Sequence, residues 1–360
     1  MQVIDLKKTP TTQAIEAAVK VLKAGGLVIY PTETVYGGGV DATHQTAVNK
    51  LLAYKSRREG KPLSIAVANQ EMAQEYAQLN QQAIQFYKKF LPGPYTIISQ
   101  AKNKLASGVA SEFKTVGIRI PDYPLILKLV KKLGKPLTAT SANASGKKRP
   151  YTIQDIFDHL SAKQKKLIDL VLDAGQLPPN EPSTVIDTTL STPLTLRGKL
   201  MANKEQTSSQ FISRSERETQ DIAGKFMLKY WNQLKEKGLV VGLSGELGAG
   251  KTIFAKGIGR FLKINQIITS PTYNYIKEHD FSRHNVNGTF YHIDTWKLDN
   301  QEETSALEIP DLIQPKNIVA IEWWTQVKQF MPSIKPDLVV NLKVIDEKQR
   351  QIQIYEKPST

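Results

Sequence analysis

The stretch SGELGAGKTIF, residues 244–254, carries glycines at 245 and 250 followed by Lys251 and Thr252, the spacing G-x-x-x-x-G-K-[ST]. Such a loop turns backbone N–H groups toward phosphate oxygens and hands the chain to a helix whose N-terminus adds partial positive charge. Its flanks fit: the apolar run LVVGL precedes it, and TIFAKGIGRFL, helical in pattern, follows. Gly248, Ala249, Gly250, Lys251, Thr252 and Ile253 would wrap nucleotide phosphates, with Lys251 on the β- and γ-phosphates and the Thr252 hydroxyl on Mg²⁺. Two acids suit the same chemistry. Asp294, in FYHIDTWKL, follows an apolar segment as a Walker-B carboxylate would, and Glu322 ends the apolar run of IVAIEWW.

The first half has no such loop. Its polar residues are dispersed through YPTETVYG (30–37), KSR (55–57), GKPL (60–63), PGPYT (92–96), TVGIRIP (115–121), TSANASG (140–146), PSTVID (182–187) and LRG (196–198). Several of these follow apolar strands, where open α/β sheets gather their ligands. Lys55, Arg57, Lys61, Arg119 and Arg197 are cations that could be fixed around an anionic ligand, and Thr32, Thr115, Ser141, Asn143 and Ser183 are donors suited to a small molecule. Taken singly, each stretch reads equally well as a turn or a solvated basic helix end.

These residues need two frameworks to hold them. From Gln13 to Lys23, QAIEAAVKVLK has helical spacing; Gly25 and Gly26 stop it, and LVIYPTETVYGGG reads as strand and glycine-rich turn. AVNKLLAYKS, AIQFYKKFL and PLILKLVKKLG read as further helices and LSIAVA as a strand, an alternation that predicts an α/β layer fold with a largely buried sheet. Between Leu200 and Ser215 the text turns polar and rich in Ser and Thr. This predicts a first domain over 1–205, a linker over 206–215 and a second domain over 216–360, with a helix from about Glu218 to Lys237 before the LVVGLSG strand. The 360 residues accommodate two cores, and the absence of cysteine excludes disulfides, Cys-ligated zinc, Fe–S clusters and thiol nucleophiles. No leader-like N-terminus and no apolar run near the roughly 18 residues of a membrane span are present, so a cytoplasmic location is expected. A net charge of +14 directs attention to polyanionic partners.

In order over about residues 215–356, GELGAGKT, SPTY at 270–273, HID at 292–294 and EWW at 322–324 resemble the TsaE family, small P-loop ATPases of tRNA threonylcarbamoyladenosine (t6A) biosynthesis. The resemblance implies that Thr272 faces the γ-phosphate, that Glu322 helps hold Mg²⁺, that Trp323 supports the nucleotide site and that Thr219 reaches the nucleotide. The family reads H-x-D-x-Y-R where this chain has Trp296 and Lys297 after Asp294, which exchanges a planar fork for a point charge.

Over about residues 8–203, PTETVYG, the KSR and SAN elements and GIRIP are together similar to the YrdC/TsaC family of L-threonylcarbamoyl-AMP synthases. The implied reaction joins L-threonine, bicarbonate and ATP into threonylcarbamoyl adenylate with loss of pyrophosphate, on a twisted open α/β sheet. The resemblance implies catalytic roles for Lys55 and Arg57. It places Arg57, Lys61, Thr115, Ser141, Asn143, Arg149 and Arg197 on the ATP side and Thr32, Arg119 and Ser183 around threonine, with Arg119 on its carboxylate. TsaD and TsaB are the implied protein partners for transfer to adenosine 37 of tRNA, with tRNA itself held weakly or indirectly. The competing readings are a non-catalytic RNA-binding module for the first half and a P-loop kinase of a small metabolite for the second. Threonine-dependent pyrophosphate release and the fate of the γ-phosphate separate them.

Overall fold

A computed structural model describes residues 1–55, 63–144, 147–198 and 208–357. The chain divides into two units, Met1–Thr189 with Pro193–Leu200, and Leu190–Thr192 with Met201–Thr360. Both are mixed α/β.

The first unit is built on two sheets. One has five strands in the order Gln2–Asp5, Leu170–Asp173, Val28–Tyr30, Gly37–Gly39, Thr140–Ser141, the first three parallel and the last two antiparallel to their neighbours. The other runs Leu194–Arg197, Thr184–Asp187, Tyr95–Ala101, Thr115–Arg119, Ser64–Ala66, Leu137–Thr138, with Ala77–Gln78 also paired to Tyr95–Ala101. The short strands Leu137–Thr138 and Thr140–Ser141 carry the chain from one sheet to the other. Two close approaches hold that crossing. Tyr30 donates its hydroxyl to the Thr138 carbonyl at 2.9 Å. A Cβ at Gly39 would lie 2.6 Å from the Tyr30 ring and 2.8 Å from Leu137, so only glycine lets the strand pass.

Helix Thr11–Lys23 shows why the sequence pattern was readable: its buried positions, Ala14, Ile15, Ala18, Val19 and Leu22, form one stripe at helical spacing. That stripe shares a core with Leu125, Ile126, Leu129, Val130 and Leu133 of helix Pro124–Leu133, which ends on Gly134 at φ 69°. Each buried Leu or Ile there contributes about 1.5–3 kcal/mol.

The second unit is one sheet of seven strands, Ser208–Ser213, Arg350–Glu356, Leu338–Val344, Leu239–Ser244, Ile318–Glu322, Val286–Asp294, Ile276–Arg283. The four strands from Leu338–Val344 to Val286–Asp294 run parallel, and each outer strand is antiparallel to the neighbour it pairs with. Helices Glu216–Lys237 and Lys251–Leu262 pack beside them.

The expected linker is corrected here. Ser208–Ser213 pairs along its whole length with Arg350–Glu356 and buries Phe211 edge-on to Phe226. Ser215 caps the next helix by accepting from the Glu218 amide at 3.1 Å, so helix begins at Glu216. An edge strand turns polar side chains to solvent, and that alternation has the composition of a linker. Residues 206 and 207 lie outside the described residues.

Candidate functional sites

In the first unit the turn after Val28–Tyr30 is shaped by Thr32. Its hydroxyl donates to the Val35 carbonyl at 2.7 Å and accepts from the Thr34 and Val35 amides, each at 3.2 Å. The turn presents Glu33, which forms an ion pair through Oε1 with Arg119 Nη2 at the end of strand Thr115–Arg119. Ser183, just before strand Thr184–Asp187, meets Thr96 Oγ1 at 2.9 Å, and its Oγ accepts from Arg197 Nη2 at 2.9 Å. Its carbonyl also accepts from Arg197 Nε at 3.1 Å. Arg149 pairs with Glu181 at 3.0 Å. Burial, and then the charges of Arg119 and Arg149, push the Arg197 guanidinium below its usual range. Guanidiniums close enough to disfavour one another's charge are what an anion-binding site produces.

Lys55 ends helix Gln45–Lys55 and donates to the Ser141 and Asn143 carbonyls, both at 2.7 Å. Burial lowers its ammonium to about 8. Asn143 turns the following loop, its Nδ2 donating to the Lys147 carbonyl at 2.8 Å and to that of Lys148 at 3.1 Å. Thr115 stands at the opposite end of its strand from Arg119, its hydroxyl 2.8 Å from that of Ser111.

In the second unit, Gly245, Gly248 and Gly250 adopt φ of 144°, 77° and 103°. A Cβ at Gly245 would fall 2.3 Å from the Leu342 carbonyl oxygen, which fixes that position as glycine. Lys251 Nζ donates to the Gly245 and Glu246 carbonyls at 2.8 and 3.0 Å and lies 3.6 Å from the centroid of the Trp323 ring. Burial lowers its ammonium, opposed by Glu322, Asp294 and Glu246. Trp323 takes φ 63°, and its ring lies 4.4 Å from that of Trp296, centroid to centroid, tilted by 44°.

Glu322 ends the strand next to that of the phosphate loop. Its Oε1 accepts from Thr252 Oγ1 at 2.9 Å and from His292 Nε2 at 2.7 Å, with His292 fully buried. Asp294 lies in register with Glu322 one strand further out. Its Oδ2 accepts from the Ser270 hydroxyl and, at 3.3 Å, from that of Thr272, while its Oδ1 accepts from the Trp296 amide at 3.0 Å. The Walker-B position expected for Asp294 therefore differs from what strand adjacency gives: the carboxylate joined to the loop threonine is Glu322, and Asp294 fastens the 270–272 segment.

Comparison with known proteins agrees with this division. The Sua5/YciO/YrdC model, described as telomere recombination, matches residues 20–198, and the model of threonylcarbamoyl adenosine biosynthesis protein TsaE matches 213–352. A putative threonylcarbamoyl-AMP synthase of Methanocaldococcus jannaschii is 37% identical over 186 residues, 52% of this chain and 86% of that protein. The chain belongs to the Sua5/YciO/YrdC family and carries a TsaE domain. The threonylcarbamoyl-AMP synthase of Vibrio vulnificus is 38% identical over 152 residues, covering 41% of this chain and 82% of its own. Among solved structures, Pyrococcus abyssi Sua5 complexed with L-threonine is similar at a TM-score of 0.50 and 20% identity, over 89% of this chain and 92% of that one, a likeness of fold.

Within the Sua5/YciO/YrdC unit the structure brings Arg119, Ser183, Arg149 and Arg197 into one neighbourhood and joins Lys55 to Ser141 and Asn143. Thr32 spends its hydroxyl on its own turn, and Arg57 and Lys61 lie outside the described residues. Within the TsaE unit Thr219 is buried with its hydroxyl 2.8 Å from Ser213 Oγ, tying helix to edge strand. Sequence reasoning missed Glu33 and the role of His292. Both sit inside quoted motifs; the available signals were a lone acid in the otherwise uncharged YPTETVYG and a histidine two residues before an acid on a strand, and so on the same face.

Proposed function

We propose that the chain is a bifunctional protein of t6A biosynthesis, a threonylcarbamoyl-AMP synthase joined to a P-loop ATPase. The observation that carries the first activity is the convergence of Arg119, Arg149 and Arg197, with the Ser183 hydroxyl accepting from Arg197. The threonine carbamate oxygen attacks the α-phosphorus of ATP, the bond from that phosphorus to the bridging oxygen breaks, and pyrophosphate leaves. Charge builds on the leaving group, so fixed cations held before the reaction lower the barrier more than an acid–base pair would. Arg119 would take the threonine carboxylate bidentately, beside Ser183, while Arg197 and Lys55 face phosphate. Threonine- and bicarbonate-dependent release of pyrophosphate from ATP, with the adenylate detected by mass, tests this. Pyrophosphate release indifferent to threonine would refute it.

For the TsaE unit, Thr252 and Glu322 are hard oxygen donors at the mouth of the phosphate loop, the kind Mg²⁺ selects, and would hold it with Asp294 nearby. Among the described residues no group of three or more His, Cys, Asp or Glu is placed to hold a metal, in keeping with a site completed by nucleotide phosphates. The ion would neutralise phosphate charge. Lys251 is the cation of the site: its ammonium sits on two loop carbonyls, with Trp323 as one wall, and would exchange those carbonyls for phosphate oxygens when nucleotide binds. TsaD and TsaB are the proposed partners of this unit and the acceptors of the adenylate.

A further inference from the structure

The ion pair between Glu33 and Arg119 is incomplete on both sides. Both side chains are largely buried, at 15% and 11% exposure. Glu33 Oε1 is matched to Arg119 Nη2, yet Glu33 Oε2 and Arg119 Nε are buried without a hydrogen-bond partner. Proteins rarely leave such atoms unmatched, and a functional site is one of the places where they do. Glu33 is also held firmly in place, since Asn180 Nδ2 donates to its carbonyl at 2.8 Å and the Thr32 hydroxyl pins the turn on both sides of it.

The two unmatched atoms are an acceptor on the anion and a donor on the cation of one ion pair. A ligand that answers both carries a carboxylate and an ammonium on neighbouring atoms, which is the head of an α-amino acid. Charge points the same way. A lone carboxylate bound at Arg119 would stand against Glu33, whereas an ammonium bound without Glu33 would face Arg119, with Arg149 and Arg197 beyond it. A zwitterion adds no net charge to a buried pair, so neither group is left uncompensated.

We infer that Glu33 binds the α-ammonium of the amino-acid substrate through Oε2 while Arg119 binds its carboxylate, making Glu33 the residue that selects an α-amino acid over a hydroxy acid. The inference rests on the synthase reading only for the identity of that amino acid as threonine.

The test compares binding of L-threonine and of 3-hydroxybutyrate, the same molecule without its amino group, to the full chain and to Glu33→Gln, by calorimetry with competition for the weaker ligand. Glu33→Gln is expected to weaken threonine roughly 10- to 100-fold, the scale of a charged hydrogen bond, and to change 3-hydroxybutyrate by less than about 3-fold. Glu33→Asp, which keeps the charge, should restore part of the threonine preference. Equal weakening of both ligands would make Glu33 structural, and tightening of both would make it a competitor for Arg119. Either result, or no threonine binding by the unaltered chain, overturns the inference. Threonine binding without threonine-dependent pyrophosphate release would instead refute the synthase reading and leave the ammonium assignment standing.

Discussion

Lys55 is a cation that its surroundings make expensive to keep charged. Burial brings its ammonium to about 8, well below a free lysine, so the positive charge is complete below that pH and disappears as pH rises through it. If that charge serves the departing pyrophosphate, kcat/KM for adenylate formation falls above about pH 8, because kcat/KM reports the free enzyme. In Lys55→Arg, which stays charged, that limb is absent. A profile of the unaltered protein flat to about pH 9.5 would contradict the assignment. On the other unit, His292 offers Glu322 one hydrogen bond of 2.7 Å in a fully buried setting. Its ring is stacked parallel to Phe290, so His292→Phe keeps an aromatic ring there and removes the donor. A bond to a carboxylate is worth about 1.5–3 kcal/mol, and ATP hydrolysis should drop roughly 10- to 100-fold with ATP binding nearly unchanged. An unchanged hydrolysis rate would leave His292 a packing residue. Motif spacing identified Lys251, Thr252 and Glu322 because these chemistries require fixed residue types in order. It could not give Glu33 its partner, since the separation of 86 positions between Glu33 and Arg119 is closed only by folding.

At the scale of elements, the phosphate loop depends on how tightly the strand Leu338–Val344 passes beneath it. Gly245→Ala would drive a methyl to 2.3 Å from the Leu342 carbonyl and should abolish nucleotide binding by the TsaE unit. Retained ATP affinity would mean that the loop relaxes freely. The edge strand Ser208–Ser213 makes a separate test. Phe211 is fully buried, and Phe211→Ala should cost the second unit about 3–5 kcal/mol, lowering its melting temperature by roughly 6–20 °C while leaving adenylate synthesis intact. A shift under about 2 °C would return the segment to the status of a linker. Helices such as Thr11–Lys23 were legible because a stripe of period 3.6 repeats over three turns. Ser208–Ser213 was not, because in six residues only the adjacent Phe211 and Ile212 are large and apolar, which carries no alternating pattern, and its partner Arg350–Glu356 lies at the far end of the chain. The fragmented strands of the first unit, several of two or three residues, were legible as an α/β alternation and not as two sheets, since pairing between them is long-range.

On the scale of the whole molecule, two phosphate-handling sites of unlike design share one chain. One gathers dispersed arginines and, at a helix end, a half-buried lysine; the other uses a glycine loop opening a helix. Tethering keeps the two activities together at an effective concentration that for short flexible linkers reaches about millimolar. The net charge of +14 suits binding of anionic partners, and any hold on tRNA should weaken steeply with salt. The most direct test of two independent sites measures both reactions on two variants of the full chain. Threonylcarbamoyl adenylate is followed by mass and ATP hydrolysis by phosphate release, on Arg119→Ala and Lys251→Ala. Arg119→Ala should raise the threonine requirement roughly 30-fold or more and leave hydrolysis untouched, and Lys251→Ala should abolish hydrolysis and leave adenylate formation nearly intact. Loss of adenylate formation in a folded Lys251→Ala protein would contradict the presence of two separate active sites.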